Sequence, residues 1–223
     1  KNMLNAVIFD FDGVIIDSES LHFKVFNEVL STYDIEISWE DYQGLYIGYD
    51  DEKTIKTVFK KNRKILNKKI VRKLIQQKAH IFEKAVSDKQ AKIFPGAIEL
   101  IKSIPIRVPI GLCTGALRSD IKPVLSGLKI KNTFKAIVTA EDTKKSKPHP
   151  DPYNLILSQL DIHDPNTVVA IEDTPAGIRS AKSAGLKVLA VTNTFSSQFL
   201  FDADAVTDTL ERVNRKTLED LIL

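Results

Sequence analysis

The apolar positions of the chain follow two rhythms. Leu4–Phe9 (LNAVIF) is a short unbroken apolar run and predicts a buried strand. It stops at Asp10-Phe11-Asp12-Gly13, where polar groups and a glycine break the pattern. From Ser18 to about residue 87 the apolar residues recur at helical spacing: Leu21, Val25, Phe26, Val29 and Leu30, then Ile55, Val58 and Phe59, then Ile70, Leu74, Ile75, Ile81 and Phe82. Ser18 is placed to cap the first of these helices, and Ser38-Trp39-Glu40-Asp41 reads as the start of another. No strand is expected between residues 18 and 92.

Past Phe94-Pro95-Gly96 the rhythm changes. After a helix at about 96–103, strands are predicted at Val108–Cys113, Ala136–Thr139, Thr167–Ile171, Val188–Val191 and, briefly, Ala205–Val206. Helices are predicted between them at Ser119–Leu128, Asp151–Leu160 and Pro175–Ala184, with a last one at about 215–222. Pro175 stands where a first helical turn accepts proline. Strands alternating with helices argue for a parallel sheet covered on both faces. The first strand belongs to that set but is cut off by the helical block. The expected fold class is α/β: a Rossmann-like, doubly wound parallel sheet core (1–16 and 93–223) with an inserted all-helical domain (17–92).

In open parallel sheets, ligands bind beyond the carboxyl ends of the strands. That rule picks out Asp10 and Asp12 after the first strand and Thr114 and Gly115 after the 108–113 strand. It adds the loop with Lys144, Lys145 and Lys147, and then Glu172 and Asp173. Packed carboxylates repel one another, which raises a pKa or demands a cation. Mg²⁺ answers that demand, because it takes one or two carboxylates, waters and a substrate phosphate. Asp10 and Asp173 are the natural pair of ligands. Cys113 ends an apolar strand and has no evident His base, so it reads as a small core residue. Glycine-rich phosphate loops of the P-loop or dinucleotide type are absent.

Composition narrows the classes. The chain has 223 residues, 43% apolar and 27% charged, which excludes a disordered or low-complexity chain. No apolar run approaches the roughly 18 residues that span a bilayer. With one cysteine and no secretory leader pattern, the expectation is a cytoplasmic protein, without membrane or nucleic-acid partners, monomeric or weakly dimeric. Charge is unevenly placed. Residues 53–92 hold fourteen Lys or Arg against two acids, a net +12, so the rest of the chain carries −9. A solvated helical face explains this most simply. The alternative is a binding protein that docks an acidic partner through this block, and Lys→Glu changes within residues 60–73 would then abolish binding.

Four stretches carry a resemblance: Asp10-Phe11-Asp12-Gly13-Val14; Thr114; Lys147 within Ser146-Lys147-Pro148-His149-Pro150-Asp151; and Glu172-Asp173-Thr174-Pro175-Ala176-Gly177. In order and spacing they resemble the four motifs of the haloacid dehalogenase superfamily, and the likeness covers nearly the whole chain. The insertion after the first motif resembles the helical cap of the subgroup of phosphoglycolate phosphatases, sugar-phosphate phosphatases and β-phosphoglucomutase. Asp17-Ser18-Glu19-Ser20-Leu21-His22 is similar to the start of that cap. The resemblance implies Asp10 as nucleophile, forming an aspartyl-phosphate. It implies Asp12 as general acid and then base, with its backbone carbonyl a metal ligand. Thr114 and the Gly115 amide would hold phosphoryl oxygens, and Lys147 would balance charge on Asp10 and the phosphate. Asp173 would bind Mg²⁺, with Glu172 a ligand or its partner.

The second Asp of the pair argues against dehalogenation, since a departing halide needs no proton. A phosphatase and a hexose-phosphate mutase remain. The stretch Leu45–Asp51 resembles a mutase cap loop that keeps Gly48 but has Ile47 and Asp51 where a Lys and an Arg would grip a second phosphate. An acid facing that phosphate would repel it, so hydrolysis of a small sugar or polyol phosphate is expected, with Lys53 or Lys56 as possible substitute cations. The cap is expected to open and close about hinges near 14–17 and 90–95. His22, Tyr46, Gly48, Tyr49 and Asp50 are the candidates for reading the leaving group.

Overall fold

The computed structural model describes residues 3–47, 49, 51–87 and 92–223. Two compact units emerge: Lys1–Asp17 together with Lys92–Leu223, and Ser18–Ala91. The first is an α/β unit. Its strands β1 (Ala6–Phe9), β4 (Ile110–Cys113), β5 (Phe134–Val138), β6 (Val168–Glu172), β7 (Lys187–Val191) and β8 (Ala205–Thr207) form one sheet in the order β5-β4-β1-β6-β7-β8, with every pairing parallel. β1 lies at its centre and is buried along its whole length, as a strand covered on both faces must be. Helices α5 (Ala97–Ser103), α6 (Arg118–Gly127), α7 (Asp151–Gln159), α8 (Pro175–Ser183) and α9 (Arg215–Asp220) belong to the same unit. Tyr153, Ile156 and Leu157 of α7 and Ile178 and Ala181 of α8 share a core with Ala6 and Ile8 of β1 and Val168 and Ala170 of β6.

A two-residue ribbon pairs β2 (Ile16–Asp17) with β3 (Lys92–Ile93) antiparallel. It sits at the edges of the stretch expected to hold no strand. No local pattern announces it, because two residues show no periodicity and the partners lie far apart in the chain.

The second unit is helical among its described residues: α1 (Glu19–Leu30), α2 (Trp39–Asp41) continuing into a π-helical turn at Tyr42–Tyr46, α3 (Asp51–Lys61) and α4 (Lys68–Ser87). The expected apolar stripes make its core, with Phe26, Leu30, Ile55, Val58, Phe59 and Leu74 packed together. Ser38 caps α2, its Oγ accepting from Asp41 N at 3.1 Å. Ser18 does not cap α1. Its backbone is already helical (φ −85°, ψ −24°), so its hydroxyl is not aimed at the first amides of the helix. No helix among the described residues is long and apolar enough to cross a membrane.

Candidate active site

The register of the sheet assembles the site. Phe9, the last residue of β1, pairs with Leu112 on one side and Ile171 on the other. The Asp10 amide donates to Ile171 O at 3.0 Å, which prolongs the β1–β6 ladder by one residue. The strand ends at Asp10, Cys113-Thr114 and Glu172-Asp173 are thereby brought side by side. Asp10, Glu172 and Asp173 each offer a carboxylate oxygen within 4.8 Å of the others, and all three residues are buried.

Lys147 reaches into this cluster from the loop before α7. Its Nζ donates to Asp10 Oδ1 (3.0 Å), Glu172 Oε1 (2.7 Å) and the Cys113 carbonyl (2.8 Å). An ammonium has three N–H groups, so all are engaged. Lys147 therefore works as a fixed positive charge that orders the carboxylates; a bond to a phosphate would require one of these to be given up. Burial opposes its charge, but Asp10 and Glu172 together hold the ammonium well above the usual lysine range. Lys144 and Lys145 are exposed.

The acids outnumber the lysine. Burial, with Asp10 adding to it, pushes the Glu172 carboxyl up to about 7 despite Lys147 and Tyr153. Burial and then the neighbouring Asp10 and Glu172 hold the Asp173 carboxyl well above the usual range. Glu172 Oε2 and Asp173 Oδ1 are buried and accept no hydrogen bond. Such orphaned oxygens are costly unless a cation completes them. Hard carboxylate oxygens with two open positions and an excess of negative charge fit a small divalent cation of the Mg²⁺ type, and the absence of His or Cys from the cluster disfavours softer metals.

Two glycines of the motifs make room for these carboxylates. Gly13, at φ +77°, is in the left-handed region, and a Cβ there would lie 1.7 Å from Asp173 Oδ2. A Cβ on Gly177 would lie 1.8 Å from Glu172 Oε2. Gly177 sits in the first turn of α8, where the Thr174 hydroxyl caps its amide at 3.0 Å.

Asp12 is partly buried in the tight loop after β1, where it bridges to Ile16, and it is not one of the three clustered carboxylates. Thr114 is buried; its amide donates to Val138 O and its hydroxyl accepts from Ala116 N at 3.0 Å, which leaves the hydroxyl proton to donate. Gly115 is exposed beside it. The buried Cys113 thiol is pushed up to about 12, chiefly by burial, and so is no nucleophile at neutral pH.

Sequence reasoning missed Tyr153, whose hydroxyl donates to Glu172 Oε1 at 2.5 Å. A tyrosine on the otherwise aliphatic buried face of α7 was the available signal, since a buried phenol needs a partner. It also missed Asn193 and Thr194, in the loop after β7. Asn193 Nδ2 donates to Gly13 O at 2.7 Å.

The candidates in the helical unit are not brought into one group. Tyr46 is buried in that unit's own core, so its ring is committed to packing. Tyr49 is partly exposed, with Lys53 Nζ 3.6 Å from its ring centre. Gly48 and Asp50 lie outside the described residues. His22 stacks on Phe82 (4.3 Å between ring centres), and its Nδ1 lies 3.0 Å from Lys78 Nζ. Lys78 is buried and also pairs with Asp51. Asp51, expected to confront a distal phosphate with bare negative charge, instead has its carboxylate engaged by Lys78, and Lys56 is paired with Glu52.

A doubly wound sheet whose carboxyl edge gathers three carboxylates, a lysine and a threonine has the fold and the polar groups of a hydrolase. The chain belongs to the haloacid dehalogenase-like hydrolases, whose family profile matches residues 7–191. It is 29% identical over 187 residues to a phosphorylated carbohydrates phosphatase of Thermotoga maritima, covering 82% of this chain and 83% of that one. Its fold is similar to that of CbbY from Rhodobacter sphaeroides, crystallised with phosphate (TM-score 0.87, 23% identity, 98% of this chain and 100% of the other). It is also similar to that of β-phosphoglucomutase from Clostridium difficile (TM-score 0.79, 23% identity, 99% and 97%).

Proposed function

We propose that this protein is a Mg²⁺-dependent phosphomonoester hydrolase acting on a small phosphorylated sugar or polyol. The observation that carries the reading is the buried cluster of Asp10, Glu172 and Asp173 around Lys147, with two carboxylate oxygens left without partners. The Thermotoga relative, a phosphatase of phosphorylated carbohydrates by name, supports the substrate class.

Asp10, Asp173 and Glu172 would hold the ion, with the Asp12 backbone carbonyl. Bound there, Mg²⁺ would neutralise charge between the carboxylates and the phosphoryl oxygens. The residues of the chain do the rest. Lys147 orients the Asp10 carboxylate through Oδ1. An Asp10 oxygen attacks phosphorus, the bond from phosphorus to the substrate oxygen breaks, and Asp12 gives that oxygen its proton. The Thr114 hydroxyl and the Gly115 amide bind phosphoryl oxygens as charge moves onto them. Asp12, now a carboxylate, takes a proton from a water that attacks the aspartyl-phosphate, which releases inorganic phosphate and restores Asp10. A substrate with one phosphate suits the resemblance of Leu45–Asp51 to a mutase cap loop, which implies Ile47 and Asp51 in place of the cations, and Lys53, Lys56 and Lys78 each have a partner within the helical unit.

The test is phosphate release from a panel of sugar and polyol phosphates with Mg²⁺. Wild type releases phosphate, and Asp10→Asn, which keeps the fold, loses at least about a thousandfold in kcat. Hydrolysis that survives Asp10→Asn rejects the nucleophile. Isomerised product with a bisphosphate requirement and little free phosphate would make the protein a mutase.

A further inference from the structure

Glu172 is gripped by one oxygen only. Lys147 Nζ donates to its Oε1 at 2.7 Å, and the Tyr153 hydroxyl donates to the same oxygen at 2.5 Å. Oε2 is buried and accepts no hydrogen bond. A carboxylate oxygen offers two lone pairs, so the two donors fill Oε1. Both come from one segment, Lys147 from the loop before α7 and Tyr153 from the first turn of that helix. The segment between them is tied to α8, the His149 carbonyl accepting from Ser180 Oγ at 2.5 Å. Tyr153 is fully buried, and its ring shares a core with Ile156 and Leu157 of its own helix and with Val168 and Ala170 of β6. Packing thus holds the ring and delivers its hydroxyl to a fixed point. Phenylalanine would serve that packing without the cost of burying a polar group, so the hydroxyl has a task of its own.

We propose that Tyr153 is a positioning residue: it fixes the Glu172 carboxylate against Lys147, and through that carboxylate keeps the ammonium on Asp10 and the acid cluster ordered for a divalent cation. The inference rests on the hydrolase reading above. With Lys147 alone on Oε1, the Glu172 carboxylate could turn about a single hydrogen bond; a second donor on the same oxygen removes that freedom. Lys147 cannot supply the missing bond, since its other two N–H groups are engaged by Asp10 and the Cys113 carbonyl. Partners one step removed from a metal commonly carry about ten- to a hundredfold of its affinity.

Calorimetric titration of the metal-free protein with Mg²⁺ tests this role apart from turnover. Tyr153→Phe keeps the ring and removes the donor. It should weaken Mg²⁺ binding about tenfold. Its turnover defect should shrink as Mg²⁺ is raised, with the substrate KM unchanged at saturating metal. Should that variant not fold, Tyr153→Met, which also lacks a donor, serves in its place with the same direction expected. A folded variant that binds Mg²⁺ as tightly as wild type overturns the positioning role, whatever its turnover, and leaves the hydrolase reading standing. A KM that rises at saturating metal overturns it too, because a general loosening of the unit would then carry the effect. Wild-type protein that takes up no Mg²⁺ overturns the hydrolase reading and the role with it.

Discussion

Each unit of the molecule draws a lysine largely out of solvent, and the two are balanced differently. Lys147 in the α/β unit donates to two carboxylates and a carbonyl, with a third carboxylate beside them. Lys78 in the helical unit pairs with one carboxylate, that of Asp51, beside a neutral imidazole, with its ammonium 4.4 Å from the centre of the Phe26 ring. The first arrangement leaves negative charge over and two oxygens without partners. The second is charge-balanced as it stands. Burying a lysine therefore does not mark a catalytic site by itself; the surplus around it does, because a closed pair has nothing left to give a ligand.

Removing each lysine should expose this difference. Lys147→Met strands Asp10 and Glu172 in a nearly dry site, Glu172 being fully buried. It should cost about 3–5 kcal/mol in stability and about a hundredfold or more in kcat, read by urea unfolding and by phosphate release. Lys78→Met should cost less, about 1–2 kcal/mol. Asp51 is 34% exposed and can be rehydrated when its partner goes. Equal losses for the two variants would erase the distinction.

The smallest effect concerns pH. Burial, and then the Lys78 charge, hold the His22 imidazole well below its ordinary 6.5. The unfolded chain therefore takes up a proton before the folded one does as pH falls. Stability from this group is intact above about pH 6.5 and declines below it, until the folded imidazole is protonated as well. Trp39 is the single tryptophan and lies in the helical unit, so urea unfolding followed by its fluorescence reports that unit. The midpoint should fall between about pH 7 and about pH 5, and His22→Asn should flatten that acid limb. An unchanged acid limb in the variant would show that His22 is not its source.

What the sequence revealed follows the range of its signals. The strands, their flanking helices and the strand-end acids are local patterns, and the sheet rule that ligands sit at carboxyl ends converts them directly into a site. Asp10, Glu172, Asp173 and Lys147 were legible for that reason. Contacts that depend on which distant segments lie side by side were not. Tyr153 meets Glu172, Asn193 meets Gly13 and Lys78 meets Asp51 only once the chain is folded. Lys78 was hidden further by its company, one cation among the fourteen of residues 53–92 with nothing in the composition to separate it from the solvated ones. Tyr46 misled for the opposite reason: within the stretch that resembles a cap loop it looks available for a ligand, yet the π-helical turn carries its ring into the core.

The central claim is that the surplus of negative charge around Lys147 is completed by one divalent ion that hydrolysis requires. Its most direct test is Mg²⁺ stoichiometry by calorimetry, in wild type and in Asp173→Asn, alongside phosphate release with and without a chelator. The account predicts one ion per chain in wild type, none at comparable affinity in the variant, and phosphate release that stops with chelation and returns with Mg²⁺. Release that continues undiminished without metal, or an Asp173→Asn protein that binds Mg²⁺ as tightly as wild type, would contradict it.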